Sequence, residues 1–388
     1  MAARGQGGRP HAEPPLPPHL SPRHSVPGPR GHDGYDGYDG GYGPGEVYGG
    51  GRGRGGPGPG GYRPGGGRRF KRMIVTLLVV VLAISVGTYF WADSQLRREV
   101  DLSKVEDRPE TGSGTNYLIV GSDSREGMSA QDKKDLHTGS ASGKRTDSMM
   151  ILHVGSNGST VISLPRDSWV TIPAFKGSET GRQYPASQNK LNAAYSMDGA
   201  PLLVRTVEYN TGLKIDHYAE IGFGGFAKIV DAVGGVEMNL PQAIKDEKSG
   251  ADLKAGKQTL DGTQALAFVR TRYALAQSDL DRTKNQQKFL SALANQTATP
   301  STLLNPFKLY PVMGAGLDTL IVDKDMGLWN VGRMFFAMKD IQGGEGKQMN
   351  MPIAGSAPAG SLAWDMPKVK QLVSQLKNDE PVTVKGNR

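Results

Sequence analysis

The sequence contains no cysteine, only seven histidines, and aromatic residues make up just 7% of it. Without cysteine there is no disulfide scaffold, no thiol nucleophile and no cysteine-ligated zinc site. His137, His153 and His217 stand apart from the charged strings described below, and we interpret them as structural. The composition therefore points away from thiol- or histidine-based catalysis.

Aliphatic residues are almost absent from residues 1–72, which are rich in Gly, Pro, Tyr and Arg. Such a segment buries too little apolar surface to offset its ordering entropy, so we expect a disordered tail. It holds 11 Lys and Arg against 5 Asp and Glu, and therefore most of the formal charge of +8. The folded part is nearly neutral, and the high isoelectric point does not indicate a nucleic-acid partner.

Charge is also missing from residues 73–91, an apolar run from Met73 to Trp91. About 20 apolar residues span the hydrocarbon core of a bilayer as a helix. The basic cluster Arg68, Arg69, Lys71, Arg72 precedes the run, which predicts a cytoplasmic N-terminus and an extracytoplasmic main domain. A cleaved signal peptide is the alternative, but its apolar region is normally shorter and closer to the start. We favour an uncleaved single-pass anchor in the cell membrane.

The rest of the chain predicts alternating strands and helices, with a linker over 92–114 and one domain over 115–388. The fold class that follows is an α/β/α sandwich with a central mixed β-sheet, preceded by one transmembrane helix and a disordered tail. Thr263 to Arg272 is interpreted as a strand or a helix-to-strand passage, 300–345 as mostly helical, and 124–144 and 174–188 as long loops. The other predicted strands are Tyr117–Val120, Ser148–Val154, Val161–Leu164, Tyr218–Phe223 and Val236–Leu240, and the predicted helices are Leu191–Thr211, Phe226–Val233 and Arg282–Gln296.

Two aspartates mark the ends of predicted strands. Asp123 follows one strand and Asp147 precedes another, so their carboxylates meet at one edge of the sheet if the strands are neighbours. Two carboxylates together with phosphate oxygens are a usual way to hold Mg²⁺. The alternative is that each aspartate caps a turn or pairs with a nearby arginine.

Arginines cluster in the same strings and suit an anionic substrate, because a planar guanidinium donates two parallel hydrogen bonds to phosphate. Arg270 and Arg272 project to one face if they lie on a strand, as Leu266 and Phe268 do. Arg282 and Gln286 share a face of a predicted helix. Further cations are Arg125, Arg145, Arg166 and Lys190. The alternative is a set of surface arginines paired with Asp279, Asp281 or Glu208.

Taken together, six strings resemble the LytR-CpsA-Psr family, with the family's order and spacing over about 115–297. They are YLIVGSDSR from Tyr117, RTDSMMILHV from Arg145, SLPRDSWVTIP from Ser163, KLNAAY from Lys190, DAVGGVEMNLP from Asp231, and LDGTQALAFVRTRYALAQSDLDRTKNQQKFL from Leu260. The predicted anchor is also similar to that family's topology.

The resemblance implies a Mg²⁺-dependent phosphotransferase of cell-wall assembly. It would move a glycopolymer from an undecaprenyl-pyrophosphate carrier to peptidoglycan, at the C6 hydroxyl of N-acetylmuramic acid. Asp123 and Asp147 match the metal-binding acids, and Arg270, Arg272 and Asp147 are the implied catalytic residues. The implied pyrophosphate-binding set is Arg125, Arg145, Arg166, Lys190, Arg270, Arg272, Arg282 and Gln286. An apolar tunnel for the polyprenyl chain is also implied.

Two other functions remain open at this level. Water could replace the wall hydroxyl, which would make the protein a hydrolase of the same lipid pyrophosphate. A non-catalytic wall-binding or regulatory protein is the third interpretation. The general base is equally open among Asp147, Asp167 and a phosphate oxygen.

Overall fold

The computed structural model of the protein describes residues 66–124, 129–136, 146–271, 278–297 and 299–386. The tail up to residue 65, and with it the expectation of disorder there, lies outside the described residues. From Gly66 onward the described chain forms one compact unit.

A mixed sheet of seven strands is the centre of the described fold. In spatial order the strands are β1 (Arg97–Val100), β14 (Leu320–Asp323), β9 (His217–Ile221), β2 (Thr115–Ser122), β3 (Thr146–Gly155), β4 (Gly158–Leu164) and β15 (Lys347–Asn350). Pairing is parallel for β1 with β14, β9 with β2 and β4 with β15, and antiparallel for the other three pairs of neighbours.

Helices cover both faces of this sheet, so the α/β/α architecture is confirmed. The ten helices of the described residues are α1 (Gly66–Ser94), α2 (Ala130–Asp135), α3 (Leu191–Thr211), α4 (Phe223–Ala232), α5 (Gly262–Arg270), α6 (Ser278–Thr297), α7 (Pro300–Leu303), α8 (Pro306–Thr319), α9 (Leu328–Gln342) and α10 (Met366–Lys377). Alternation along β2 explains the layers: Leu118 and Val120 pack with α3 and α10, whereas Tyr117 on the opposite face packs with α8 and α9.

Five small two-stranded sheets complete the described fold. They pair β5 (Trp169–Ile172) with β8 (Ser187–Lys190), β6 (Phe175–Lys176) with β7 (Gln183–Tyr184), β10 (Val236–Leu240) with β13 (Gly256–Leu260), β11 (Ile244–Asp246) with β12 (Ala251–Leu253), and β16 (Ile353–Ala357) with β17 (Ser361–Trp364). The β10–β13 strands, α4, α5 and α6 share a separate apolar cluster that includes Phe268 and Phe289. The segment 174–188, expected as a loop, therefore contains the β6–β7 hairpin.

The strand interpretation of Thr263 to Arg272 is wrong, because residues Gly262–Arg270 form helix α5. Asp261 caps this helix: its carboxylate accepts a hydrogen bond from the Gln264 backbone at 2.8 Å, and the Gln264 side chain accepts from the Asp261 backbone at 3.2 Å. This reciprocal capping box starts the helix. Residues two apart project to nearly opposite sides of a helix, so Leu266, Phe268 and Arg270 do not share the one face expected of a strand, and the whole run from Ala265 to Val269 is buried.

The expected linker over 92–114 also needs correction. Residues 97–100 form β1 at the edge of the central sheet, paired with β14, and Leu102 and Val105 are buried in the main core. The first globular strand therefore follows α1 directly. The helix predicted over Leu191–Thr211 has the expected bounds, but it is kinked at Asp198 and Gly199, where Gly199 has φ 71° just before Pro201.

Helix α1 is long and apolar enough, from Arg68 to Ser94, to cross a membrane. It begins at Gly66 rather than at Met73, so the basic cluster that precedes the apolar run lies within the helix. Its apolar side chains are exposed; Leu82, for example, is 64% accessible.

Candidate functional site

Three adjacent strands of the central sheet have an end at the same edge. A candidate residue from the sequence analysis lies at or next to each of these strand ends. Ser122 at the end of β2 pairs with Thr146 at the start of β3, and Met149 of β3 pairs with Leu164 at the end of β4. Asp123, Asp147 and Arg166 therefore have their backbones at one edge of the sheet. The condition set for the two aspartates, that their strands be neighbours, is met.

A cavity of about 280 Å³ lies at this edge, between the ends of the strands and helices α4, α5 and α6. Most of its walls are apolar side chains from the sheet and from these helices. They include Ile119, Met150, Ile221, Phe223, Phe226, Leu266, Val269 and Leu290. The polar lining consists of Ser122, Ser148, Asp246, Lys248, Ser249, Arg270 and Gln286. A ligand with one apolar part and one anionic part fits such a lining.

Arg270 is the last residue of α5 and lines this cavity. Its guanidinium carbon lies 4.8 Å from the ring centroid of Phe223, a cation–π contact. Its Nη1 donates a hydrogen bond to the Leu136 carbonyl at 3.2 Å. These contacts orient the guanidinium beside the cavity, next to the negative end of its own helix.

Gln286 reaches the same cavity from α6. Its Nε2 donates to the Val269 carbonyl at 3.2 Å, which ties α6 to the last turn of α5. Arg270 and Gln286, which come from one string of the sequence, therefore line the same cavity. Helices α4 and α5 approach each other closely beside the cavity, because a Cβ on Gly262 would lie 2.5 Å from the Ala227 carbonyl oxygen.

A second charged group lies beyond the end of β4. Asp167 lies between two cations, with Oδ1 2.9 Å from Lys190 Nζ and Oδ2 3.4 Å from Arg166 Nε. The backbone holds the two segments together, since Asn192 N donates to the Arg166 carbonyl at 3.2 Å. Arg166 and Lys190 are therefore neighbours, but neither lines the cavity that contains Arg270, with which both were expected to surround one pyrophosphate.

Other selected residues fall outside what the structure describes. Arg125, Arg145 and Arg272 lie outside the described residues, and so do the side chains of Asp147 and Arg282. The backbone of Arg282 lies in α6, one turn before Gln286. Among the side chains that are described, no group of three or more His, Asp or Glu gathers as a metal site.

A buried carboxylate that the sequence analysis did not select lies on β9, the strand paired with β2. Glu220 of β9 is 3% exposed and accepts hydrogen bonds from Tyr195 at 2.6 Å and from Tyr218 at 2.7 Å. Burial, followed by the Glu220 charge, raises the pKa of Tyr195 and of Tyr218 far above the ordinary value for tyrosine. Both hydroxyls therefore stay protonated and act as donors. A polar residue inside a strand is usually interpreted as a surface position, so nothing in the sequence indicated that Glu220 is buried.

The β11–β12 hairpin supplies the other residues that the sequence analysis missed. Lys248 and Ser249 line the cavity, and Ser249 Oγ lies 3.2 Å from Thr271 Oγ1, directly after Arg270. Their string, Lys245 to Gly250, resembles an ordinary polar turn, so no pattern in the sequence marked it. The histidines are structural where described: His153 Nδ1 lies 2.8 Å from Asn116 Oδ1, and His217 Nδ1 lies 3.2 Å from Asp323.

The profile of the LytR_cpsA_psr family matches residues 88–378, which is most of the chain. The chain belongs to the LytR-CpsA-Psr family. The probable cell wall biosynthesis protein LcpB of Corynebacterium glutamicum is 41% identical over 327 residues, covering 80% of this chain and 75% of that protein.

Other relatives of this LytR-CpsA-Psr protein carry transferase names. The polyisoprenyl-teichoic acid–peptidoglycan teichoic acid transferase TagU of Oceanobacillus iheyensis is 30% identical over 265 residues, covering 64% of this chain and 75% of the relative. Among solved structures, the LytR-Csp2A-Psr enzyme from Actinomyces oris superposes with a TM-score of 0.55 at 20% identity. That match covers 73% of this chain and 96% of the other, and it confirms the fold.

Proposed function

We propose that this protein is a membrane-anchored phosphotransferase that moves a glycopolymer from a polyprenyl-pyrophosphate carrier to peptidoglycan. The observation that carries the proposal is the cavity that combines apolar walls with Arg270, Lys248 and Gln286. Names of relatives agree with it, since TagU is named for a polyisoprenyl-linked donor and a peptidoglycan acceptor.

The cavity fits the two parts of such a donor. Phe226, Leu266 and Leu290 offer an apolar surface for the first isoprene units, and burial of apolar surface contributes about 25 cal/mol per Å². Arg270 presents a guanidinium, which binds phosphate oxygens through charge-assisted hydrogen bonds. A diphosphate at this edge of the sheet lies between the lipid-binding walls and the strand ends that carry Asp123 and Asp147.

The reaction needs a hydroxyl of the wall polymer to attack the phosphorus that bears the sugar. A new phosphorus–oxygen bond forms, the bond to the bridging oxygen breaks, and polyprenyl monophosphate leaves. Arginines around the diphosphate stabilise the charge that develops on its oxygens, and each such contact is worth about 3 kcal/mol, or roughly a hundredfold in rate. Of the candidate bases, Asp167 is held between Lys190 and Arg166, which leaves Asp147 or a phosphate oxygen as the better proton acceptor.

Mg²⁺ is part of the proposal. Asp123 and Asp147 fit it, because their backbones lie on paired neighbouring strands at the edge where the cavity opens. Such an ion, coordinated by two carboxylates and by phosphate oxygens, would supply neutralisation of the diphosphate charge. Apart from this ion, the groups proposed to hold the diphosphate are side chains of the protein.

Localisation follows from α1. We propose that it anchors the protein with the N-terminus in the cytoplasm and the sheet domain outside, since Arg68, Arg69, Lys71 and Arg72 precede the apolar run. The wall polymer, the lipid carrier and the domain then share one compartment.

The proposal is tested with the full-length chain in detergent micelles, given a polyprenyl-diphosphate-linked sugar with or without peptidoglycan oligomers. We expect the mass of an oligomer carrying one sugar phosphate, together with released polyprenyl monophosphate, and only when the oligomer is present. Equal consumption of the lipid without the oligomer would support the hydrolase instead. Binding of the lipid with no turnover in either mixture would leave the regulatory interpretation.

A further inference from the structure

We propose that the outer surface of α8 and α9 docks onto the bilayer beside the end of α1, so that the domain lies against the membrane in a fixed orientation. The surface, called the apolar rim here, consists of Leu304, Phe307, Trp329 and Phe336. Its partner is lipid at the C-terminal end of α1. This inference is independent of the proposed chemistry and rests only on α1 crossing the membrane.

The end of α1 is joined to the domain by direct contacts. Asp93 Oδ1 accepts a hydrogen bond from the Leu328 backbone at 3.0 Å, at the start of α9. Arg98 of β1 pairs with the same carboxylate at 2.7 Å, and donates to the Asp93 and Met326 carbonyls at 2.9 and 3.2 Å. A helix end held at these points does not swing freely. The membrane span therefore sets the orientation of α9.

Helix α8 lies beside α1 before the apolar run ends. The Tyr310 hydroxyl is hydrogen-bonded to the Thr88 hydroxyl, and the Tyr310 ring lies 5.4 Å from that of Trp91. Thr88 precedes Trp91 by three residues, or about 4.5 Å along a helix axis. Tyr310 is thus level with the last turn of the apolar run, which is the depth of an interfacial aromatic belt.

The apolar rim continues outward from these contacts. Phe307 precedes Tyr310 by three residues and shares its face of α8, and Leu304 lies between α7 and α8. On α9, Trp329 follows the residue bonded to Asp93, and Phe336 lies two turns farther along the same face. Trp329 and Phe336 also line a groove with Tyr89 of α1.

Exposure of the apolar rim is unusual for a soluble surface. Phe307, Leu304 and Trp329 are 89%, 83% and 72% accessible, the highest values among the large apolar side chains described outside α1. Transfer of such side chains from water into an apolar environment is favourable, because it removes their apolar surface from water. Because the rim is continuous with α1, whose own exposed face requires lipid, the bilayer is the occupant that geometry favours.

Basic residues border the apolar rim. Lys308 follows Phe307, and Arg333 lies one turn from Trp329 on α9; both are exposed. Long basic side chains beside an apolar surface extend to the phosphate headgroups of a bilayer. Helix α8 also packs on α4, whose Phe223 and Phe226 line the cavity. Docking of the rim therefore brings that cavity close to the lipid surface.

The test uses the absence of cysteine in the natural chain. Single variants F307C and W329C of the full-length protein carry a nitroxide spin label in vesicles of phosphatidylglycerol and phosphatidylethanolamine. The matched control is Y209C, since Tyr209 is an aromatic residue with 60% exposure on α3, on the opposite face of the sheet. V80C within α1 reports insertion. Collision rates with oxygen and with a water-soluble nickel chelate give the depth of each label.

We expect labels at 307 and 329 to show a several-fold higher ratio of oxygen to nickel collisions than the label at 209, and the label at 80 to show the highest ratio. Ratios at 307 and 329 equal to that at 209, with the label at 80 in hydrocarbon, would overturn the proposal. A label at 80 in water would also overturn it, because the rim then has no bilayer beside it. If the label at 209 were as shielded as those at 307 and 329, specific docking of the rim would be refuted.

Discussion

Removal of Arg108 should destabilise the domain severely, because this side chain neutralises a buried carboxylate. Glu208 on α3 is 2% exposed, and its Oε1 lies 2.7 Å from Arg108 Nη2. Arg108 also donates through Nε to both carboxylate oxygens at 3.2 Å and through Nη2 to the Ile215 carbonyl. In the variant R108A the Glu208 carboxylate stays buried, and the donor that remains to it among the described residues is the Ile215 backbone, at 2.8 Å.

The expected loss in the free energy of unfolding follows from the buried charge that remains after the substitution. Removing one partner of a buried ion pair costs about 3–5 kcal/mol, most of it the penalty of the uncompensated charge. Arg205 provides the matched control, since its ion pairs also connect α3 to the segment that precedes β2. Its partners Glu106 and Asp107 are 74% and 82% exposed. R205A should therefore cost about 1 kcal/mol at most.

The assay is urea unfolding of the full-length protein in micelles, followed by tryptophan fluorescence. We expect a lower midpoint for R108A with an unchanged slope, and the double variant R108L/E208L should recover most of the loss, because two apolar residues leave no buried charge. A free energy of unfolding for R108A within 1 kcal/mol of R205A would refute the reasoning. It would mean that residues 92–114 are the loose linker suggested by the sequence.

Two further predictions concern pH and metal. Burial lowers the pKa of His153 more than the nearby Asp379 raises it. Below pH 6.5 the unfolded chain therefore binds more protons than the folded chain. The free energy of unfolding should fall by up to about 1.4 kcal/mol for each pH unit below that value. Urea unfolding at several pH values measures this dependence. An equally steep change of the free energy of unfolding with pH in H153Q would contradict the prediction. Chelation with EDTA should stop transfer until Mg²⁺ is restored, and D123N should need more Mg²⁺ for half-maximal rate; transfer that continues in EDTA would remove the metal from the proposal.

Local patterns were sufficient to predict much of the sheet. The apolar runs at β2, β3 and β4 gave strands close to the observed bounds, and the two-residue turn Ser156–Asn157 joins β3 to β4 as an antiparallel pair. These strands are buried through their own side chains, so periodicity reveals them. The short strand β1, Arg97–Val100, has no apolar run, and only its pairing with β14 more than 200 residues later makes it part of the sheet.

Prediction of the site was partial for a similar reason. Arg270 and Gln286 were selected because their residue types suit phosphate, and the fold places both at one cavity. Helix α5 was left open between a strand and a helix-to-strand passage because its apolar residues fit either period, while the decisive signal was the cap at Asp261. Lys248 and Glu220 belong to the site region only through long-range packing, which no local pattern encodes. The positions of Arg166 and Lys190 outside the cavity could likewise not be predicted from the sequence.

The transfer rate of R270A tests most directly whether a guanidinium at this cavity acts on the diphosphate. The matched control is R182A, which removes an exposed arginine from the β6–β7 hairpin. With the full-length proteins and the lipid-linked sugar assay, we expect R270A to lose roughly a hundredfold in rate, about 3 kcal/mol, and R182A to match the wild type, with similar midpoints of urea unfolding for all three. A wild-type rate in folded R270A would contradict the proposed function.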